Sequence, residues 1–187
     1  WQLAYELLTT DNDFPEFTGR ICPAPCEKSC VLSIHRAPVT IRENEASALE
    51  HAFGEGFIQP KVPAHRTGKK VAVIGSGPSG LAVANQLNQK GHEVTVYEKS
   101  SHIGGLLRFG IPDFKLNKNI IDRRLKLMEA EGVKFVVNTE IGKDVKGKDI
   151  LKDYDAVCVA IGSQVPRNLP VEGRELKGVY YAMEYLT

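Results

Sequence analysis

Two groups of residues in this chain of 187 have types and spacings that could do chemistry. The first is Cys22, Cys26 and Cys30, three thiols within nine residues. Clustered thiolates point to a metal or an iron–sulfur cluster, whereas an oxidising compartment favours an even set of cysteines at wider spacing. A closed four-ligand site needs one ligand more than these three supply. Cys158 lies in an apolar run and reads as a small buried hydrophobe. A structural zinc site completed by His35 is an alternative, with His35 read more simply as a surface histidine. The second group is Gly75, Gly77 and Gly80, a G-x-G-x-x-G run, with Glu98 standing 18 residues after Gly80. In such a run the first glycine permits a tight turn, the second lets a pyrophosphate approach the backbone, and the third lets a helix pack closely on its strand. An acid near the spacing of Glu98 can accept hydrogen bonds from a ribose.

A lone glycine run proves little, so the surrounding elements carry the argument. Val71–Ile74 is a short continuous apolar run, as expected of a parallel strand covered on both faces. Leu81, Ala84 and Leu87 repeat at helical spacing, and Gly91 suits the end of that helix. Val94, Val96 and Tyr97 form the next strand, with Glu98 at its end. Strand, glycine turn, helix, strand and acid together make a dinucleotide fingerprint. The competing reading, in which the glycines serve only a turn and Glu98 is a solvated acid, leaves that combination unexplained.

Around this unit the sequence predicts the end of an amphipathic helix over 1–9, broken by Asp11-Asn12-Asp13, with Pro15 preventing a quick restart. If a helix begins near Pro23 and Pro25, Cys26 and Cys30 are i and i+4 on one face and Cys22 lies in the loop before it. A helix is expected over 43–54 and a linker over 59–70, whose basic residues read as solubilising. Gly104-Gly105, Leu106-Leu107 and Gly110-Ile111-Pro112 form flexible backbone beside an apolar patch, able to pass close to a large planar ligand. A helix over 117–131 carries Ile120, Ile121, Leu125 and Met128 on one face, with Arg123 and Arg124 on a solvated one. Strands are expected over 133–138 and, buried, over 156–162. The resulting fold class is α/β, a Rossmann-like parallel sheet with flanking helices, preceded by a partial α-helical domain.

Hydrophobic content of 42%, charge of 25% and a net charge of +1 are ordinary for a soluble globular protein and suggest neither nucleic acid nor an anionic membrane as partner. No apolar run is long enough to span a bilayer. The N-terminus lacks a basic start and an h-region, so no signal peptide is read, and the cytoplasm is the default compartment. A plastid copy with its transit peptide removed would look the same.

The segments FPEFTGRICPAPCEKSCVL, RTGKKVAVIGSGPSGLA and IGGLLRFGIPDFKL closely resemble the small (beta) subunit of NAD(P)H-dependent glutamate synthase, and the resemblance covers essentially the whole chain. It implies an FAD fold in which Gly75, Gly77 and Gly80, with Ser76, Pro78 and Ser79 in the same turn, hold the pyrophosphate. Glu98, with Lys99 beside it, would hold the adenosine ribose. Gly105 and Leu106 would lie near the flavin, with Arg108 and Ile111 close by, and Ala160, Ile161 and Gly162 would sit against the cofactor. Cys22, Cys26 and Cys30 match ligands of two [4Fe–4S] clusters and would be divided between them, as in dihydropyrimidine dehydrogenase. Glu45 falls near a further ligand position, although a helix-exposed glutamate is its simpler reading.

The family's remaining cluster cysteines would lie upstream and its NAD(P)H-binding domain downstream. The expected division is therefore a partial cluster domain and linker over 1–66 and the first part of the FAD domain over 67–187. The implied activity carries electrons from NAD(P)H through FAD and the clusters to the large (alpha) subunit, where glutamate forms. The alternatives are a related FAD/iron–sulfur oxidoreductase of the dihydropyrimidine dehydrogenase or ferredoxin–NADP reductase kind, a non-catalytic docking fragment, and a simple NAD-dependent dehydrogenase. No general acid or base stands out.

Overall fold

The structure, a computed structural model, describes residues 1–186; Thr187, the last residue of the expected flavin half, lies outside the described residues. The N-terminal part is helical: α1 (Gln2–Asp11), α2 (Pro15–Ile21), α3 (Pro25–Lys28), a 3-10 turn at Val31–Ile34, and α4 (Ile41–Gly54). Pro15 starts α2 rather than delaying it, because a proline at the first helical position gives up an N–H that has no intrahelical partner there. The expected helix through Cys30 is cut short. α3 ends at Lys28, and Cys30 is extended at φ −64° and ψ 123° before the 3-10 turn. Cys26 and Cys30 therefore do not share a helical face.

After the linker come β1 (Lys70–Ile74), α5 (Pro78–Gln89), β2 (Glu93–Tyr97), the short α6 (Leu106–Phe109), α7 (Lys118–Ala130), β3 (Lys134–Val136), α8 (Gly147–Asp153), β4 (Ala156–Val159) and α9 (Ala182–Leu186). The strands form one parallel sheet in the order β3-β2-β1-β4. Its register sets Ile74 opposite both Tyr97 and Val159, so the ends of β1, β2 and β4 open at one edge. The glycine turn after β1 and Glu98 after β2 both emerge there. Among the described strands β4 has a neighbour on one side only, and Val159 is 65% exposed, so the expectation of a fully buried strand over 156–162 does not hold.

Val73, Leu81, Ala84, Val96, Leu107, Ile121 and Met128 share a core with Phe14, which caps the start of α2, and Phe17 within it. The helical part is thus packed into the core of the sheet. A satellite cluster of Tyr5, Leu49, Ala52 and Ile58 lies under α4. Two expectations about charges are corrected by this packing. Arg124 is buried against Glu16 of α2, Nε to Oε1 at 2.5 Å, and Arg123 pairs with Glu50 of α4 at 2.6 Å, so α7 has no free basic face at these positions. Arg66 of the linker does more than solubilise: it donates to Asn88 Oδ1 (2.7 Å), His92 O (3.0 Å) and Glu131 O (2.8 Å) and so ties the linker to α5 and α7.

Candidate functional site

The turn after β1 is built on close approach. Gly75 has φ +101°, and a Cβ there would lie 2.3 Å from the Ala160 carbonyl oxygen. A Cβ on Gly80 would lie 2.0 Å from the Gly75 carbonyl oxygen. At Gly77 the situation reverses: a Cβ would meet nothing within 4 Å, so the turn leaves open space at that glycine. Gly77 is the N-cap of α5, which has no side-chain cap and starts with Pro78, so the N–H groups of Ser79 and Gly80 are left at a helix N-terminus suited to an anion. Pro78 and Ser79 are exposed, as a phosphate-facing edge requires.

Glu98 is only 7% exposed, and its carboxylate faces the turn. Oε2 accepts from the Ser76 amide at 3.0 Å and from the Ser76 hydroxyl at 2.6 Å, and Oε1 accepts from the Ser100 amide at 2.9 Å. Burial pushes the Glu98 carboxyl upward, but the hydrogen bonds from Ser76 and Ser100 outweigh it and hold the group below the usual glutamate range. It is therefore an ionised acceptor at neutral pH. Its neighbour Lys99 is exposed and donates to Gln164 at 2.5 Å.

The Gly104–Gly105 turn closes over the first one. Gly104 N–H donates to Ser76 Oγ at 3.1 Å, and a Cβ on Gly105, at φ +52°, would lie 2.9 Å from Gly77 Cα. Arg108 does not point into open space. Its Nε donates to Ile103 O at 2.7 Å and its guanidinium pairs with Asp122 of α7, so it holds this loop against α7. Leu106 is 48% exposed, Ile111 is partly buried against the core, Ala160 stands beside the Gly75–Gly80 turn, and Ile161 is exposed. Gly162, at φ +69°, has open space around it. The structure thus gathers Gly75, Ser76, Gly77, Gly80, Glu98, Gly105 and Ala160 closely, with the others at the margin. Ser100 and Gly104 are additional members. The contact from Ser100 to Glu98 is an i to i+2 bond that a local reading could have found. The Gly104 contact spans 28 residues and leaves no such trace.

The cysteine segment is arranged differently. Cys22 Sγ accepts from the Ala24 amide at 3.4 Å, with Ala24 in the left-handed region at φ +49°. Backbone N–H groups of Val39, Leu32 and Ser33 lower the Cys30 thiol below the usual cysteine range, with Val39 the largest influence. Donors aimed at sulfur favour the thiolate and are the contacts that tune iron–sulfur ligands, so these residues fit that role. Cys26 is exposed on α3, and among the described residues no group of three or more His, Cys, Asp or Glu side chains is placed to hold a metal ion. Glu45 is partly buried on α4, where its Oε2 accepts from the Thr18 hydroxyl at 3.5 Å. The segment is braced by Glu27, which accepts from the Arg42 amide at 2.9 Å near the start of α4, and by Arg42, which reaches Cys22 O at 3.4 Å. Asp13 ties the same region to α5 by accepting from Asn85 (2.8 Å) and Gln86 (2.6 Å).

Comparison with known proteins agrees with both halves. Residues 73–124 match the family model of an NAD(P)-binding Rossmann-like domain, and residues 1–57 match that of the dihydropyrimidine dehydrogenase domain II, 4Fe-4S cluster. Among solved structures the chain is similar to FprA from Mycobacterium tuberculosis in complex with NADPH, at 29% identity and a TM-score of 0.57, covering 64% of this chain and 28% of that one. Among curated relatives it is 54% identical to the glutamate synthase [NADPH] small chain of Bacillus subtilis over all 187 residues, spanning 38% of that protein. It is 53% identical over 186 residues to the glutamate synthase [NADH] of Saccharomyces cerevisiae, spanning 9% of it. With more than half of its residues shared along its whole length, and with an iron–sulfur segment joined to a dinucleotide fold, the chain belongs to the glutamate synthase small-chain family and spans one part of it.

Proposed function

We propose that residues 67–187 are the first part of an FAD-binding domain and residues 1–66 part of an iron–sulfur domain, together an electron-carrying segment of a glutamate synthase small chain. The observation that carries this reading is the cradle in which the Gly75–Gly77 turn, buried Glu98 and the Gly104–Gly105 turn meet at the head of α5. Bound FAD supplies the chemistry that links NAD(P)H, a two-electron donor, to [4Fe–4S] clusters and so to a glutamate-forming large subunit. The chain's own residues bind and orient: the α5 N-terminus takes the pyrophosphate, Glu98 a ribose hydroxyl, and the loop held by Arg108 flanks the ring system. Cys22, Cys26 and Cys30 offer thiolates to clusters completed by ligands from elsewhere in the parent protein, and Glu45 a carboxylate nearby. The compartment we infer is the cytoplasm, and a plastid fits the same sequence. A pyrimidine-reducing relative is the second reading, favoured by the match of residues 1–57; glutamate synthase identity along the whole chain weighs against it.

The test is the visible spectrum of the purified chain after incubation with FAD and passage through a desalting column. The expected result is a flavin spectrum that stays with the protein and bleaches with dithionite. A folded protein that emerges colourless overturns the flavin assignment. Broad brown absorbance after addition of iron and sulfide, lost on replacing the three cysteines by serine, tests the cluster assignment separately.

A further inference from the structure

Ser76 stands second in the glycine run, a position whose side chain the fingerprint leaves open. Here it is fully buried (0% exposed) and bonded on both sides: Oγ donates to Glu98 Oε2 at 2.6 Å and accepts from Gly104 N–H at 3.1 Å. Its own amide donates to the same Glu98 oxygen at 3.0 Å. We propose that Ser76 is a positioning residue of the dinucleotide site, its hydroxyl fixing the Glu98 carboxylate and docking the Gly104–Gly105 turn onto the fingerprint, so that the carboxylate is held in place for a ligand hydroxyl. The ligand's identity rests on the FAD reading above; the coupling of Ser76 to Glu98 and Gly104 does not.

An ionised carboxylate has about four acceptor positions. Three hydrogen bonds from Ser76 and Ser100 reach Glu98, two of them on Oε2, and the Ser100 hydroxyl also acts on the carboxylate. The two bonds from Ser76 commit Oε2, so a ribose hydroxyl is expected at Oε1, where it takes the place of the Ser100 hydroxyl. Removing the Ser76 hydroxyl has two consequences. Glu98 loses its shortest hydrogen bond and gains an unused acceptor on Oε2. Gly104 N–H, buried, loses its acceptor, which loosens the turn that passes so near Gly77 that a Cβ on Gly105 would lie 2.9 Å from the Gly77 Cα. The groups acting on Glu98 are the Ser76 and Ser100 donors; the adjacent Lys99 ammonium is engaged by Gln164.

The experiment compares the wild-type chain with Ser76→Ala, Glu98→Gln and the double variant. Without FAD, the Glu98 carboxyl carbon is titrated by NMR and exchange of the Gly104 amide is measured. The proposal expects Ser76→Ala to raise the Glu98 midpoint and speed Gly104 exchange. With FAD, flavin fluorescence is expected to show roughly tenfold weaker binding for Ser76→Ala. The double variant should bind much as Glu98→Gln alone does, because the serine acts through the carboxylate. An unchanged midpoint and exchange rate, or losses that simply add, overturn the proposal. Should Ser76→Ala fail to fold, Glu98→Gln carries the test: Gly104 exchange must quicken with it, and an unchanged rate overturns the coupling. A wild-type chain that does not bind FAD sinks the flavin reading, while the NMR response still decides the role of Ser76.

Discussion

Replacing Arg124 by leucine should be among the most damaging substitutions in this chain, although the residue belongs to no motif. The Arg124 side chain is 8% exposed and that of its partner Glu16 is 0% exposed. The guanidinium lies over the rings of Phe14 and Phe53, at 5.6 and 5.7 Å from their centroids. Glu16 Oε2 has no hydrogen-bond partner among the described residues, so Arg124 is the main compensation for a carboxylate held out of water. Removing one member of such a pair costs about 3–5 kcal/mol, since the other is left charged and buried. For a chain of this size that is roughly 6–20 °C of melting temperature. Replacing both, Glu16→Met with Arg124→Leu, should recover most of the loss, because a buried pair gains little over well-packed apolar groups. Urea unfolding followed by circular dichroism measures all three proteins. A single variant within about 1 kcal/mol of wild type, or a double variant as weak as the single, would refute the reasoning.

Gly80→Ala should abolish FAD retention on the desalting column and cost about 3 kcal/mol in unfolding experiments, since its methyl would lie 2.0 Å from the Gly75 carbonyl oxygen. The lowered Glu98 carboxyl contributes stability that is complete above the ordinary glutamate range and is lost as pH falls through its depressed folded value. Glu98→Gln should therefore flatten the acid limb of a stability–pH curve without steepening the alkaline one, as thermal melts at several pH values would reveal. Cys30, its thiolate favoured by backbone donors, should be alkylated by iodoacetamide at neutral pH well before Cys158, whose side chain packs against the core, and peptide mass spectrometry gives the order.

The sequence by itself determined the parts that depend on near neighbours. An apolar run before G-x-G-x-x-G, a helical repeat after it and an acid at the end of the next strand specify a βαβ unit, because each signal acts within a few residues of the atoms it controls. The observed β1, α5 and β2 fall close to those limits, and the resemblance carried by the cysteine and glycine segments led to the right family. Tertiary structure decided what joins distant segments. Arg124 finds Glu16 across 108 residues, Asn85 finds Asp13 across 72, and Ser76 finds Gly104 across 28. A charged or polar side chain carries no mark of its partner along the chain. Three residues after Ile121 and four before Met128, Arg124 lies on the buried face of α7 even on a helix drawn in isolation, but only the packing of α2 onto α7 supplies Glu16 as its partner. The same holds for Cys30, whose place on a helix depended on how far α3 ran, and for β4, whose apolar residues read as buried on both faces until the strand order placed it at the edge of the described sheet. Local periodicity says which residues prefer to leave water; the three-dimensional arrangement says against what, and for an ion pair or a turn-to-turn contact that second fact is the whole of its energy.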